Sequence, residues 1–135
     1  MPNNLKMYLQ LSSEDLINDL YLFLLNNMSN LSEDKRENFK IALGEVLQNI
    51  IRHGYKNKLS KNDFIEIQYQ FLQKKLIFII RDYSLPCDPQ KFLNKNFSPN
   101  ESGHMGLSII KKLTDDFLIN PLPDGNETTL IFNIE

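Results

Sequence analysis

Hydrophobic residues in the first half of this chain repeat first with the period of a strand and then with that of a helix. Alternation over residues 7–11 predicts a short strand at the edge of a sheet. Helical spacing follows over 16–28 and resumes after Ser32, and serine and acidic residues open both stretches, as is common at helix N-termini. The second helix is expected to end at Gly54 and to bury one stripe of side chains. That stripe comprises Phe39, Ala42, Leu43, Val46, Leu47 and Ile50.

The second half of the chain returns to the period of strands. Apolar and polar residues alternate over 65–71, a hairpin turn is predicted at 73–75, and residues 76–82 are apolar on both faces, which is typical of a central strand. The closing elements are expected to be a helix over 107–113 and a hairpin formed by 117–120 and 128–134. This order predicts an α+β fold, a two-layer sandwich with helices packed on one face of a mostly antiparallel mixed sheet.

An irregular segment rich in Asn, Pro and Ser separates the central strand from the third helix, over residues 87–102. The regular structure expected within it is a single helical turn at 89–93. An irregular stretch of about fifteen residues inside a compact domain usually has a function. We therefore expect a functional loop here.

Composition narrows the class of protein. The 135 residues suit one domain, 1–135, that buries about two thirds of its unfolded surface. The single cysteine, Cys87, cannot form an intrachain disulfide, so a reducing compartment such as the cytoplasm fits, and we interpret it as a small apolar residue and not as a nucleophile. No apolar stretch is long enough to cross a membrane. A net charge of −2 with scattered basic residues argues against a nucleic-acid partner.

Three polar residues form a row along the second helix: Glu45, Asn49 and His53. Side chains four residues apart lie on one face of a helix, about 6 Å apart at Cβ, and this row borders the buried stripe. An Asn amide oxygen suits Mg²⁺, and a neighbouring carboxylate can act as a general base. Taken alone, however, Glu45 is explained more simply as part of a solvated face.

Two further polar residues are expected to point into the core. Asp82 shares a strand face with Ile80 and Phe78, so its carboxylate would end the central strand pointing inward, where it needs a partner. An adenine amino group is one candidate partner, and an Asp that caps the following turn is the simpler alternative. Thr128 shares a face with Leu130, and a satisfied core hydroxyl is the simpler interpretation for it.

A glycine-containing segment, 103–106, precedes the third helix. Glycines allow backbone N–H groups to approach phosphates, and a helix N-terminus favours anions. Taken alone, this spacing is common in loops that enter helices. His104 fits either an exposed loop residue or a phosphate contact.

Together these segments resemble the GHKL ATPase superfamily, which contains the ATP-binding domains of gyrase, chaperones, histidine kinases and MutL. The most similar branch is that of the bacterial anti-sigma-factor serine kinases. Residues 42–55 resemble the N box of that branch, with its Glu, Asn, His, Gly and Tyr in register. Residues 81–89 resemble its G1 box, residues 103–115 its G2 box, and Thr128 the threonine that closes the adenine pocket.

The resemblance implies a role for each matching residue. Asp82 would contact adenine, Asn49 would hold Mg²⁺ together with the ATP phosphates, and Glu45 would be the catalytic base. Residues 87–102 would form a lid over the nucleotide. The implied ATP-binding residues are Asn49, His53, Asp82, Ser84, Gly103, His104, Met105, Gly106, Leu107 and Thr128.

The resemblance is compatible with three functions. The first is an ATP- and Mg²⁺-dependent serine/threonine kinase that phosphorylates a STAS-domain antagonist and binds a sigma factor or another regulatory target, and it is compatible with a homodimer. The second is a partner-binding module that uses ATP as a structural ligand, or has lost it, and switches partners without phosphotransfer. Two departures from the family pattern favour it, since Ser84 and His104 stand where glycine is usual. The third, a bare histidine-kinase catalytic domain, fits less well because no dimerisation or phosphoacceptor helices precede it.

Overall fold

The computed structural model describes residues 3–8, 18, 19, 22, 26, 31–55, 64–84, 86 and 104–134. For residues 3–8, 53–54 and 104–107 it describes the backbone alone. The predicted first helix is represented by four helical positions, 18, 19, 22 and 26. The predicted loop at 87–102, with its turn at 89–93, lies outside the described residues.

Within the described residues, five strands form one sheet, in the spatial order β1-β2-β3-β5-β4. Their four pairings are all antiparallel. The bounds of the strands are β1 Asn3–Tyr8, β2 Phe64–Leu72, β3 Lys75–Asp82, β4 Asp116–Leu122 and β5 Gly125–Asn133. As predicted, β3 is central and the first strand lies at an edge of the sheet. That edge strand lies earlier than the predicted 7–11, at Asn3–Tyr8, and residues 9–11 are outside the described residues.

Two helices have described bounds: α1, Glu33–Asn49, which continues into a π-helical turn at Ile50–Gly54, and α2, His104–Leu113. The two helices contact each other. At the start of α1, the Ser32 hydroxyl accepts a hydrogen bond from the Lys35 N–H at 3.3 Å, so the predicted serine cap is confirmed. The helical segment ends at Gly54, as predicted, but its last turn is π-helical. In that turn the Tyr55 N–H donates a hydrogen bond to the Ile50 carbonyl at 3.0 Å.

The core lies between α1 and one face of the sheet, which we call the inner face. Along β3 this face carries Leu76, Phe78 and Ile80, all fully buried, and then Asp82. The Phe39 ring on α1 packs against Phe78 and Phe132, with ring centroids 5.9 and 4.6 Å away. These three rings, the aromatic cluster, hold the helix layer against β3 and β5. The predicted buried stripe on α1 and the α+β two-layer class are confirmed.

The two hairpins extend slightly beyond the predicted bounds. β2 and β3 turn through Gln73 and Lys74, whose φ angles are 49° and 63°, as a tight hairpin of right-handed twist requires. β4 and β5 are longer than predicted, since β4 continues through Pro121 to Leu122 and β5 begins at Gly125. Pro121 is tolerated because β4 is an edge strand.

No helix within the described residues is both long enough and apolar enough to span a membrane.

Candidate functional site

The Asp82 carboxylate lies at the end of β3, on the inner face, and is only 1% exposed. Its Oδ1 atom accepts hydrogen bonds from the Ser84 N–H at 3.0 Å, the Ser84 hydroxyl at 2.5 Å and the Asn126 side-chain amide at 3.2 Å. A buried charge is tolerable when it is hydrogen-bonded in this way. The inward orientation predicted for Asp82 is therefore confirmed.

Of the two interpretations of Asp82 that the sequence leaves open, the turn cap is confirmed and the contact with adenine stays a prediction. The bond from the Ser84 N–H is the turn-capping contact, made by an Asp to the backbone two residues ahead. The carboxylate is nevertheless almost fully buried on the inner face, and capping a surface turn does not require such burial. Within the described residues its three donors all bond one oxygen, Oδ1.

Antiparallel pairing brings two residues of β5 to the same place. Asn126 pairs with Asp82, and Thr128 pairs with Ile80. Their side chains are 5% and 4% exposed. We call this set of buried polar residues, Asp82, Ser84, Asn126 and Thr128, the polar end of the inner face. The burial of Thr128 was predicted from the sequence. Asn126 was not, because its partner Asp82 is 44 positions away and only the strand register brings the two together.

The turn between β4 and β5 packs directly against the polar end. Gly125 has φ +155°, and a Cβ at this position would run into the Asp82 carbonyl and the Arg81 guanidinium. Arg81 Nη1 donates to the Asp82 carbonyl and, at 3.4 Å, to the Asn126 carbonyl. Its Nη2 donates to Asp124 Oδ1 at 2.5 Å. Arg81 therefore clamps the turn to the end of β3, a role that its position in the sequence did not reveal.

Tyr83, directly after Asp82, faces away from the core. The Arg81 guanidinium lies 4.2 Å from its ring centroid, and its hydroxyl donates to Glu66 Oε1 at 2.8 Å. The hydrogen bond to Glu66 raises the pKa of the Tyr83 hydroxyl, with smaller contributions from burial and from the charge of Glu66. This side chain braces the outer face of the sheet behind Asp82.

Tyr55, the last residue of the segment that resembles the N box, is hydrogen-bonded to the chain just after Asp82. The Tyr55 hydroxyl accepts a hydrogen bond from the Tyr83 N–H at 3.0 Å. Tyr55 follows the π-helical turn, so this bond fixes the end of that helix beside the end of β3. Asn49, the last residue of α1, lies six residues earlier, which is roughly 9 Å along an α-helical axis.

Glu45 and Asn49 occupy the margin of the core, as predicted. Both are half-buried, while Leu43, Val46 and Leu47 on the adjoining face of α1 are buried. Their separation of four residues places them on one face of the helix. The backbone of His53 is in the π-helical turn, and its side chain lies outside what the structure describes.

The helix that follows the glycine segment begins about one turn earlier than predicted. α2 begins at His104, three residues before the predicted start at Leu107, so His104, Met105, Gly106 and Leu107 form its first turn. Gly103 lies outside the described residues. Phosphate binding by backbone N–H groups stays possible with this earlier start, because the first four N–H groups of a helix have no partner within it.

The residues present suit a nucleotide with Mg²⁺ in their donor types. Asp82 offers a buried carboxylate to a base, α2 offers first-turn N–H groups to phosphates, and Asn49 offers an amide oxygen to a hard cation. In the described part of the chain, no three His, Cys, Asp or Glu residues are grouped as a metal site.

The chain belongs to the histidine kinase-like ATPase domain family, whose model matches residues 17–132. This match confirms the GHKL-type ATPase predicted from the sequence. No curated protein sequence matches the chain.

Solved structures share the fold at low sequence identity. The RsbU and RsbW domains of Rv1364c from Mycobacterium tuberculosis align with a TM-score of 0.61 and 14% identity, over 99% of this chain and 32% of that one. The catalytic domain of histidine kinase ThkA aligns with a TM-score of 0.61 and 18% identity, over 98% and 96% of the two chains. The blue-light activated histidine kinase of Erythrobacter litoralis EL346 aligns with a TM-score of 0.58 and 14% identity, over 77% and 32%. This chain therefore spans about a third of the Rv1364c and Erythrobacter litoralis chains and nearly all of the ThkA catalytic domain.

Proposed function

We propose that this domain binds Mg-ATP between its helix layer and the polar end of the inner face. The observation that carries the proposal is the Asp82 carboxylate, 1% exposed at the end of the central strand, with its described donors on Oδ1. Its second oxygen, Oδ2, is assigned to the amino group of adenine. Membership of the histidine kinase-like ATPase family supports the nucleotide assignment.

Each remaining candidate residue has a separate task in this proposal. Asn49 would hold Mg²⁺ through its amide oxygen, and the ion would neutralise charge on the phosphate oxygens. The N–H groups of the first turn of α2 would bind phosphate, aided by the positive end of the helix dipole. The Tyr55–Tyr83 hydrogen bond holds the metal-binding helix at a fixed position relative to the base-binding strand.

We assign the domain to protein-serine/threonine kinases of partner-switching systems. Its substrate would be a serine or threonine hydroxyl of a STAS-domain antagonist, and its second partner a sigma factor or another regulatory target. The resemblance of the N box to that of anti-sigma-factor kinases and the likeness to the RsbW-containing structure support this assignment. Glu45 would accept the proton of the attacking hydroxyl, since it precedes Asn49 by one turn on the same helix face.

Phosphotransfer from radiolabelled Mg-ATP to a STAS protein encoded beside this gene tests the kinase assignment. Glu45→Ala should bind Mg-ATP normally and lose about 10²–10⁴-fold in transfer rate, the usual contribution of a general base. Gln48→Ala is the matched control, because Gln48 is on the same turn of α1 but bonds Arg52 at 3.4 Å. Equal transfer rates in the two variants would contradict the role of Glu45.

A partner-binding module without phosphotransfer is the second candidate. Ser84 and His104 favour it, because both stand where the family pattern usually has glycine. A wild-type protein that binds Mg-ATP tightly but transfers no phosphate to any STAS protein would establish this candidate in place of the kinase.

A further inference from the structure

We propose that Ser84 and Asn126 are positioning residues that fix the Asp82 carboxylate and thereby set the base selectivity of the pocket. The class of ligand selected is a purine nucleotide with an amino group at position 6. This inference rests on the proposed nucleotide-binding function. It goes beyond that function because the resemblance gives Ser84 only a general part in ATP binding and gives Asn126 no role.

The geometry around Asp82 carries the first step. The Ser84 hydroxyl and the Asn126 amide both donate to Oδ1, at 2.5 and 3.2 Å, in addition to the Ser84 N–H. Both side chains are themselves buried, at 7% and 5% exposure. Water therefore competes little for these bonds, which are stronger in such surroundings than at a surface.

The two residues also bond each other. The Asn126 amide donates to Ser84 Oγ at 3.4 Å, which closes a triangle with Asp82. Asn126 is held in register opposite Asp82 by β3–β5 pairing. Since the three side chains form one network, we expect the effects of removing Ser84 Oγ and the Asn126 amide to be non-additive.

The consequence for a ligand follows from carboxylate chemistry. The terminal torsion of an Asp side chain is broad, and donors on one oxygen restrict it. Because three donors hold Oδ1 in place, the carboxylate cannot rotate freely and the lone pairs of Oδ2 point in a fixed direction. An ionised carboxylate only accepts hydrogen bonds, so it suits a 6-amino group and repels a 6-carbonyl oxygen. Loss of the two side-chain donors would let the carboxylate turn, and the amino group would lose its aligned acceptor.

Calorimetric titration with two nucleotides tests this inference: Mg-ATP, and Mg-purine riboside triphosphate, which lacks the 6-amino group. Wild type should prefer ATP by about tenfold or more, the usual value of a hydrogen bond to a charged group. Ser84→Ala and Asn126→Ala should each lower this preference by about three- to tenfold, mainly by weakening ATP binding. Purine riboside triphosphate should bind wild type and both variants within about twofold, because it does not use the oriented oxygen.

Thr129→Ala is the matched control, since Thr129 lies on the same strand but alternates onto the opposite face from Thr128. It should keep the wild-type preference.

If Asn126→Ala does not fold, Ser84→Ala and Ser84→Gly carry the test, because both keep the Ser84 N–H that bonds Asp82. An unchanged preference in folded variants would overturn this inference and leave the proposed function standing. Failure of wild type to bind either nucleotide would overturn the proposed function as well.

Discussion

The inner face of β3 and β5 has two ends that are equally buried and chemically opposite. One end carries the aromatic cluster, in which Phe78 is fully buried and Phe132 is 3% exposed. The other end, a few residues along the same strands, carries Asp82 and Asn126 at 1% and 5%. Burial alone therefore does not distinguish core from site in this protein. The distinction lies in whether the buried groups are satisfied by apolar contact or by directed hydrogen bonds.

The two ends differ in what they contribute to folding. Burial of apolar surface stabilises by about 25 cal/mol per Å², so the aromatic cluster strongly favours the folded state. Burial of polar groups costs free energy unless they are bonded, and at best the bonds of the polar end offset that cost. Apolar residues in place of the polar end would cost little stability. We therefore propose that its buried polar groups serve ligand binding and not folding.

The largest effect is expected at the apolar end. Phe39→Ala should lower the free energy of unfolding by about 3–5 kcal/mol, because it removes a buried ring that contacts Phe78 and Phe132. Chemical denaturation measures this change. Phe71→Ala is the control, since Phe71 is 44% exposed and should cost much less. Similar losses in the two variants would contradict the position assigned to the aromatic cluster.

An intermediate effect is expected where the β4–β5 turn meets the polar end. Gly125→Ala should destabilise by about 1–3 kcal/mol and weaken Mg-ATP binding, because the added Cβ would push the turn away from the Asp82 carbonyl. Asp124→Ala tests the ion pair separately, since Asp124 is 69% exposed and surface pairs contribute about 0–1 kcal/mol. A Gly125→Ala protein as stable as wild type would show that the turn does not pack closely there.

The smallest effect is expected at the link between the N-box helix and β3. Tyr55→Phe removes the acceptor for the Tyr83 N–H, which should cost about 1 kcal/mol and weaken Mg-ATP binding about fivefold. Tyr83→Phe is a matched control, because it removes a nearby hydroxyl that bonds Glu66 and keeps the N–H that bonds Tyr55. Equal nucleotide affinity in the two variants would argue that this link does not position the site.

Local patterns in the sequence were sufficient where one element determines the outcome. Alternation along β3 placed Asp82 on the inner face, and the serine and acidic residues at 32–34 located the start of α1. Helical spacing identified the row of Glu45 and Asn49 at the core margin. Each of these results depends on residues within a single strand or helix, either on its period or on its capping residues.

Features that depend on pairing between distant segments were not predicted. Asn126 reaches Asp82 only because β3 and β5 pair in one register, and Gly125 approaches Asp82 for the same reason. The start of α2 was missed because glycines were taken to lie before the helix, whereas Gly106 is in its first turn. The lid expected at 87–102 lies outside the described residues and stays a prediction.

The central claim is that Asp82 recognises adenine, and comparison of Mg-ATP with Mg-GTP binding to wild type and Asp82→Asn tests it most directly. Wild type should prefer ATP by about tenfold or more, since the carboxylate accepts a bond from the 6-amino group and repels the 6-carbonyl. An amide can turn to donate, so Asp82→Asn should keep the fold and largely lose this preference. A folded Asp82→Asn protein with the wild-type ratio of ATP to GTP affinity would contradict the claim.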